Sequence, residues 1–322
     1  MNKDHPLVAI YRLVSILLLV ALTSCGSEEE SVASAMLTVE SRDTLRVMTF
    51  NMWHGGDAGG KPLVKTLEVI RRAEAQIVGA QETHGYGEPR PDNSVQLAKK
   101  LGWEHIDQGH FNAVLTKYPI EDTIASGAAI KLKIDQNKYV WLVNTHLNYI
   151  PYQPYQLNNK EYGDYPFITT EQEAIYWANE ARKKEVDILL RLISSLGDEW
   201  PVIVLGDFNE PSHLDWTVEA ADAGVHKIAV AWPSTNALAE IGFKDAYREH
   251  RPNEVAYPGN TWTPLQSDGE IYDRIDFVFY RGKQLQLVKA EIVGETASEA
   301  DIVVGDYPSD HRAVVATFVW VD

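Results

Sequence analysis

The stretch Pro201-Val202-Ile203-Val204-Leu205-Gly206-Asp207-Phe208-Asn209-Glu210-Pro211 decides the reading of this chain. A short apolar run rich in β-branched residues predicts a buried strand, and it stops at Gly206 with a carboxylate and an amide directly behind it. The strand thus delivers Asp207 and Asn209 to a loop held by a rigid element, where binding and reacting groups are often placed. Several other strands in the chain end in the same way.

Working outward, the strongest helical pattern, over 171–196, immediately precedes this strand, with Ile175, Ala178, Leu189, Ile193 and Leu196 near helical spacing. Before it lie a hairpin-like pair, 128–134 and 139–147, turned at Asp135-Gln136-Asn137, whose second strand runs into Asn144-Thr145-His146-Leu147-Asn148. The first strand of the domain, 45–53, is apolar on both faces, as a strand between two layers should be, and reaches its end at Asn51. Glycines 55, 56, 59 and 60 make a turn, and Pro62 opens a helix with Leu63, Leu67 and Ile70 on one face. The next strand, 77–82, ends on Gln81-Glu82; a helix at 94–101 and strands at 103–106 and 113–115 follow, with Pro119 closing the last. Beyond Asn209, Ser212-His213-Leu214-Asp215 has the form of a capping box and predicts a helix from Ser212, so His213 and Asp215 are not read as ligands. Trp232-Pro233 opens another short helix, and strands are expected over 274–280, 285–293 and 312–320.

With 322 residues, 45% of them hydrophobic, the chain can bury a sizeable core, and the lack of an internal repeat favours one domain. Lys3 and Arg12 precede the apolar run Leu13–Leu22, which suits a secretory signal and is short for a membrane span. Leu22-Thr23-Ser24-Cys25 then resembles the lipobox of bacterial lipoproteins, which implies removal of residues 1–24 and lipidation of Cys25, the single cysteine. The alternative is an ordinary signal peptide with an incidental cysteine. Residues 25–43, with Glu28, Glu29 and Glu30, read as a flexible acidic tether, leaving 44–322 as the folded domain. The expected location is the cell envelope, lipid-anchored to the outer membrane, on its periplasmic or its surface side. No second cysteine exists to form a disulfide, so the domain must stand on its core.

The net charge of −17 becomes −18 when residues 1–24, carrying Lys3, Arg12 and Asp4, are removed. No basic stripe of the kind that neutralises phosphates is evident, and Arg182-Lys183-Lys184 reads as the solvated face of a helix. Charge therefore disfavours nucleic acid as a partner, although a metal-dependent nuclease would bring positive charge into its own site.

Taken together, the strand ends supply Asn51, Glu82, His146 with Asn148, Asp207 with Asn209, Asp276 in Asp273-Arg274-Ile275-Asp276, and Asp310-His311 behind Ser309. One such residue alone would be unremarkable, but the ordered set is specific. It resembles the endonuclease/exonuclease/phosphatase superfamily, metal-dependent phosphoesterases that include deoxyribonuclease-like nucleases, bacterial sphingomyelinases and inositol-phosphate phosphatases. The resemblance spans about residues 45–319. It implies an α/β fold in which two packed, mostly antiparallel sheets are flanked by helices as a four-layer sandwich.

The resemblance also implies roles. Glu82, helped by Asn51 and Asp310, would ligate a divalent cation through hard oxygen donors, Mg²⁺ first, with Mn²⁺ or Ca²⁺ as alternatives. Asp207 would orient or deprotonate the attacking water, with Asn209 fixing water and phosphate. His311, held by Asp276, and His146, assisted by Asn148, would face the phosphoryl oxygens. Tyr118-Pro119 reads as strand-end packing, Thr261-Trp262 as either site lining or core, and Asp273-Arg274 as a salt-bridge pair outside the chemistry. The loop 149–167 directly follows His146 and holds five tyrosines, Phe167 and three prolines. Either it packs on its own rings, or Tyr152 and Tyr155 help form an aromatic wall that selects a lipid, sugar or choline-like moiety. The expected activity is a metal-dependent hydrolase of phosphoester bonds on small or lipid-linked extracytoplasmic substrates, acting as a monomer. A nuclease of the same fold is the alternative, followed by a non-catalytic surface-binding lipoprotein.

Overall fold

The computed structural model describes residues 44–321; the signal segment, Cys25 and the tether to residue 43 lie outside the described residues. The strands are β1 (Thr44–Asn51), β2 (Ile77–Gln81), β3 (Glu104–Gly109), β4 (Asn112–Thr116), β5 (Ile120–Ile124), β6 (Ala129–Asp135), β7 (Lys138–His146), β8 (Val202–Asp207), β9 (Lys244–Asp245), β10 (Asp276–Arg281), β11 (Leu285–Gly294), β12 (Ile302–Val303) and β13 (Ala313–Trp320). They form a seven-stranded sheet, β12-β11-β13-β1-β2-β4-β3, and a six-stranded sheet, β5-β6-β7-β8-β10-β9. Most neighbours are antiparallel, as the sequence led us to expect, but β1/β2, β7/β8 and β11/β12 run parallel.

Alternation along each strand builds the layers. In β1, Leu45 and Val47 enter the core between the sheets, while Met48 and Phe50 face outward onto the helices Leu63–Arg72 and Asn93–Leu101. In β8, Ile203 and Leu205 enter the same inner core, and Val202 and Val204 pack outward with Val186, Leu189 and Ile193 of the long helix Glu171–Ser195. The result is helix, sheet, sheet, helix. Each fully buried aliphatic side chain contributes roughly 1.5–3 kcal/mol relative to exposure. Tyr118, at the end of β4, packs against the inner core.

Four details differ from the sequence reading. Ser212–Asp215 is a turn: the Ser212 hydroxyl accepts from Leu214 N, and the next helix, Val218–Asp222, starts later with Thr217 as its cap. Asp215 is consumed by Arg248 and Arg274, so no capping acid remains at Ser212. Asp273 and Arg274 are likewise not partners: Arg274 pairs with Asp215 and Asp245, and Asp273 accepts from Tyr152 and Trp216. Arg182 does not share the solvated face of Lys183 and Lys184. It is fully buried against Glu210, because it falls in the stripe Ala174, Ala178, Arg182, Val186, Leu189 that turns inward. Finally, the tyrosine-rich loop contains a short helix, Gln153–Leu157, whose residues are all buried.

Candidate active site

The site lies where the inner-face alternation runs out of apolar residues. Val140 and Leu142 of β7, Ile203 and Leu205 of β8, and Val278 and Tyr280 of β10 belong to the inter-sheet core. Continuing the same parity toward one end of these strands gives His146, Asp207 and Asp276. Register then sets them side by side, since His146 pairs with Asp207 across β7/β8 and Asp207 pairs with Asp276 across β8/β10. Asn51, on the same parity as Leu45 and Val47, ends the facing strand, and its amide reaches Asp207 Oδ2 at 3.0 Å and Glu82 Oε1 at 3.3 Å. A polar layer separates this cluster from the core below: Gln81 Nε2 donates to Asn144 Oδ1 at 2.6 Å, and Asn144 Nδ2 donates to Gln108 Oε1 at 2.9 Å.

Gly206 is required by this register. Its φ is +149°, and a Cβ there would lie 2.0 Å from the carbonyl oxygen of Thr145 on β7. Only glycine lets the two strands pair directly before they present His146 and Asp207. Non-glycine residues with positive φ also gather here, at Trp53 (46°), His54 (58°), Glu82 (53°) and Asn209 (48°). Such conformations cost roughly 1–3 kcal/mol each and persist where the surrounding structure over-determines them.

Hydrogen bonds fix these side chains. His311 Nδ1 lies 2.9 Å from Asp276 Oδ2, which leaves Nε2 facing Asp207 Oδ2 at 3.7 Å. His146 Nε2 approaches the same oxygen of Asp207 at 3.5 Å. The other oxygen of Asp207 accepts from Asn209 N at 2.9 Å, and the Asn209 amide donates to Leu147 O at 3.0 Å. Asp276 N donates to Thr261 Oγ1 and His311 N to Ser309 Oγ, whose hydroxyl donates to Asn51 O. Burial disfavours the imidazolium of His311, but the carboxylates of Asp276 and Asp207 outweigh it and hold the ring's pKa well above the ordinary histidine value. Asp310 is pushed up to about 7, by burial first and then by the charges on Glu82 and Asp207, against the pull of His311.

These acids suit a cation. Among the described residues, buried Asp310 Oδ1 has no hydrogen-bond partner, an arrangement that calls for an ion or another ligand. Asp207, Asp276 and His311 present ligand atoms within 4.8 Å of one another. Within that trio, however, His311 and Asp276 already bond to each other and Asp207 is held by Asn51 and Asn209. Glu82 and Asp310 keep open carboxylate oxygens, a sparse oxygen set of the kind Mg²⁺ takes; Asn51 would add its oxygen by turning its amide, since Nδ2 faces Glu82 and Asp207 and Oδ1 accepts from Trp53 N at 3.1 Å.

The cluster forms the polar floor of a cavity of about 340 Å³, with Glu82, Asp207, Asn209, Asp310 and both histidines exposed to it. Tyr149, Tyr152, Tyr155, Tyr162 and Trp262 form its wall. Tyr152 and Tyr155 thus line the cavity. Asn148 does not; its amide donates to Ile150 O and Ala181 O and fixes the start of the tyrosine-rich segment. Trp262 answers the choice left open by the sequence: its ring stands 5.0 Å from that of His311 and faces the cavity. Sequence reading passed over Trp53 and His54, which also line it, with His54 Nε2 3.7 Å from Glu82 Oε2. The available signal was a histidine three residues beyond Asn51 at the entry to a glycine-rich turn.

A family model described as the Endonuclease/Exonuclease/phosphatase family matches residues 48–311. An uncharacterized protein of Caenorhabditis elegans is 29% identical over 339 residues, covering 96% of this chain and 100% of its own length. Among solved structures, an endonuclease/exonuclease/phosphatase from Beutenbergia cavernae superposes with a TM-score of 0.54 at 18% identity, covering 87% of this chain and 72% of its own. A Bacteroides vulgatus endonuclease/exonuclease/phosphatase gives 0.53 at 19%, covering 87% and 100%. An AP endonuclease from Archaeoglobus fulgidus gives 0.53 at 17%, covering 84% and 98%. At these identities the solved structures establish the shared fold.

Proposed function

The chain belongs to the endonuclease/exonuclease/phosphatase family, and from that premise we propose that it is a divalent-metal-dependent hydrolase of small or lipid-linked phosphoesters. The observation that carries this reading is the row His146, Asp207, Asp276 with His311 at paired strand ends, opposite the open carboxylates of Glu82 and Asp310.

Asn51, Glu82 and Asp310 would hold the cation, which when bound would supply positive charge to the phosphoryl oxygens. Asp207 sits between both imidazoles and the Asn51 amide, placed to orient a water and take its proton as the water oxygen bonds to phosphorus. The ester oxygen departs with the electron pair of the broken P–O bond and takes up a proton. His311, kept as imidazolium by Asp276, and His146 are placed to hydrogen-bond the phosphoryl oxygens as their charge grows. Asn209, its amide on Leu147 O, fixes the loop behind Asp207.

The test is hydrolysis by the purified protein of a phosphodiester, a phosphomonoester, plasmid DNA and phospholipid vesicles, with Mg²⁺, Mn²⁺, Ca²⁺ or EDTA. Metal-dependent turnover of the small or lipid esters is expected, and Asp207→Asn should lower kcat by about 10²–10⁴-fold. Activity insensitive to EDTA, or full activity in Asp207→Asn, would contradict the mechanism; plasmid cleavage far above all else would make it a nuclease. We also propose that the chain is lipid-anchored through Cys25 in the cell envelope. Among the described residues no helix is long and apolar enough to cross a membrane. Cys25→Ser should move the protein from the membrane to the soluble fraction, and unchanged fractionation would refute the anchor.

A further inference from the structure

We propose that the aromatic cavity receives the organic group of the phosphoester, and that this group is a neutral aromatic ring rather than a polyol or a quaternary ammonium. The proposal rests on the phosphoesterase reading of the floor and concerns only what the wall selects.

The wall has few polar atoms to offer a ligand. The Tyr152 hydroxyl donates to Asp273 Oδ2 at 2.7 Å, the Tyr155 hydroxyl donates to Glu270 Oε1 at 2.5 Å, and Trp262 Nε1 donates to the Tyr155 hydroxyl at 3.1 Å. Three of the five wall side chains therefore spend their hydrogen-bonding capacity on the protein and on each other, leaving carbon surface toward the cavity. Against these three side chains a sugar or glycerol group would give up hydrogen bonds to water with few replacements.

Cation recognition is also partly used up. Lys160 Nζ sits 4.1 Å from the centroid of the Tyr155 ring and pairs with Glu270 at 2.7 Å. The His311 ring stands 5.0 Å from the ring of Trp262 and takes up part of its face. The Tyr155 ring thus already faces a positive charge, which weakens its pull on a second one. A neutral ring meets no such competition and gains both area and edge-to-face contacts.

The wall is also rigid enough to discriminate. Tyr152 meets Tyr155 edge-on at 4.8 Å, Tyr155 meets Tyr162 at 5.5 Å, and Tyr149 meets Tyr162 at 6.2 Å. The cavity volume of about 340 Å³ admits one ring beside a phosphoryl group and lies at the small end of the roughly 300–1,000 Å³ typical of ligand sites. Tyr149 and Tyr162 are 55% and 41% exposed, so they can be truncated without emptying a core.

The test uses the full chain with Mg²⁺ and four phosphonates that cannot be hydrolysed: methyl, benzyl, 2,3-dihydroxypropyl and 2-(trimethylammonio)ethyl, titrated by calorimetry. Benzylphosphonate should bind at least ~10-fold more tightly than methylphosphonate, the yield of one or two good ring contacts. The other two should bind no better than methylphosphonate. Tyr162→Ala and Tyr149→Ala should each shrink the benzyl-to-methyl ratio, a quantity controlled within each variant for any general loss of binding. Equal affinity for benzyl and methyl, or a preference for the dihydroxypropyl or trimethylammonio compound, would overturn the proposal while leaving the phosphoesterase reading intact. Failure of all four to bind, together with no hydrolysis of any ester, would overturn both.

Discussion

Arg182 should be a highly sensitive position away from the cavity floor. Its side chain and that of Glu210 are both fully buried, and Nε donates to Glu210 Oε2 at 2.9 Å. The rest of the guanidinium donates to Asn148 O at 3.1 Å, to Pro151 O at 3.3 Å and to the Gln153 side chain. Glu210 in turn accepts from Ser234 N at 2.7 Å and follows Asn209 directly. One cation therefore ties the long helix to both the start of the tyrosine-rich segment and the loop behind Asp207. Arg182→Met keeps much of the volume but leaves a buried carboxylate without its counter-charge, which should cost about 3–5 kcal/mol. Urea unfolding with a two-state fit would read this, and kcat/KM measured well below the midpoint would read the displacement of the wall and of Asp207. Arg182→Met/Glu210→Leu removes both charges and should recover most of the lost stability, since replacing a whole buried pair by apolar groups is often neutral. A single Arg182→Met variant within about 0.5 kcal/mol of the parent, the range of an unremarkable surface change, would refute the reasoning.

Gly206→Ala should be far more damaging than its one methyl suggests, because the added Cβ meets the Thr145 carbonyl and the φ is unfavourable for alanine. We expect loss of activity with a clearly lowered thermal midpoint; an unaffected enzyme would mean that β7 and β8 pair differently near the site. Asp215 should contribute to acid sensitivity: burial alone would raise its pKa, but Arg274 and Arg248 outweigh it and hold the carboxyl below its usual value. A depressed folded-state pKa stabilises above the unfolded value of about 3.9 and loses that contribution as pH falls through the folded value. Unfolding midpoints from pH 6 down to pH 3 should therefore show Asp215→Asn destabilised at pH 6 and converging on the parent in acid; a gap that widened on acidification would contradict this.

Much of this was legible in the sequence, for reasons that particular residues make plain. Strand ends at Asn51, His146 and Asp207 are marked because a long apolar run stops abruptly at a polar residue, and the same period of two that hides Val140 and Leu142 continues to His146. Glu82 follows the end of β2, whereas Asp310 lies just before β13 begins, so its signal is a strand start. The errors came where a local pattern had two readings and tertiary contacts chose. Ser212-His213-Leu214-Asp215 matches a capping box, yet two buried arginines claim Asp215 and the box cannot close. Arg182 sits beside two lysines in sequence, while its helical position puts it in line with Ala178 and Val186; the period of 3.6 carried the answer and composition obscured it. His54 needed the positive backbone angles at Trp53 and His54 to reach the cavity, and a sequence does not display these outside glycine.

The topology explains why the row His146, Asp207 and Asp276 and the aromatic wall are neighbours. β7 and β8 are parallel, and parallel neighbours need a crossover of a dozen residues or more between them. Here that crossover leaves β7 at His146 and returns at Val202, carrying the helix Gln153–Leu157 and the long helix Glu171–Ser195. Its first residues must therefore pass over the end of the sheet where His146 and Asp207 emerge, and Tyr149, Tyr152, Tyr155 and Tyr162 all lie on this stretch. The wall is then buttressed by groups from the far side of β8: Asp273 behind Tyr152, Glu270 behind Tyr155, and Trp262 bonded to the Tyr155 hydroxyl. Changes in this crossover can alter what the cavity admits without moving the register of β7, β8 and β10, because the paired backbones, not the loop, place His146, Asp207 and Asp276. On the proposed reading, reaction class is set by strand register and substrate choice by the length and aromatic content of one parallel connection.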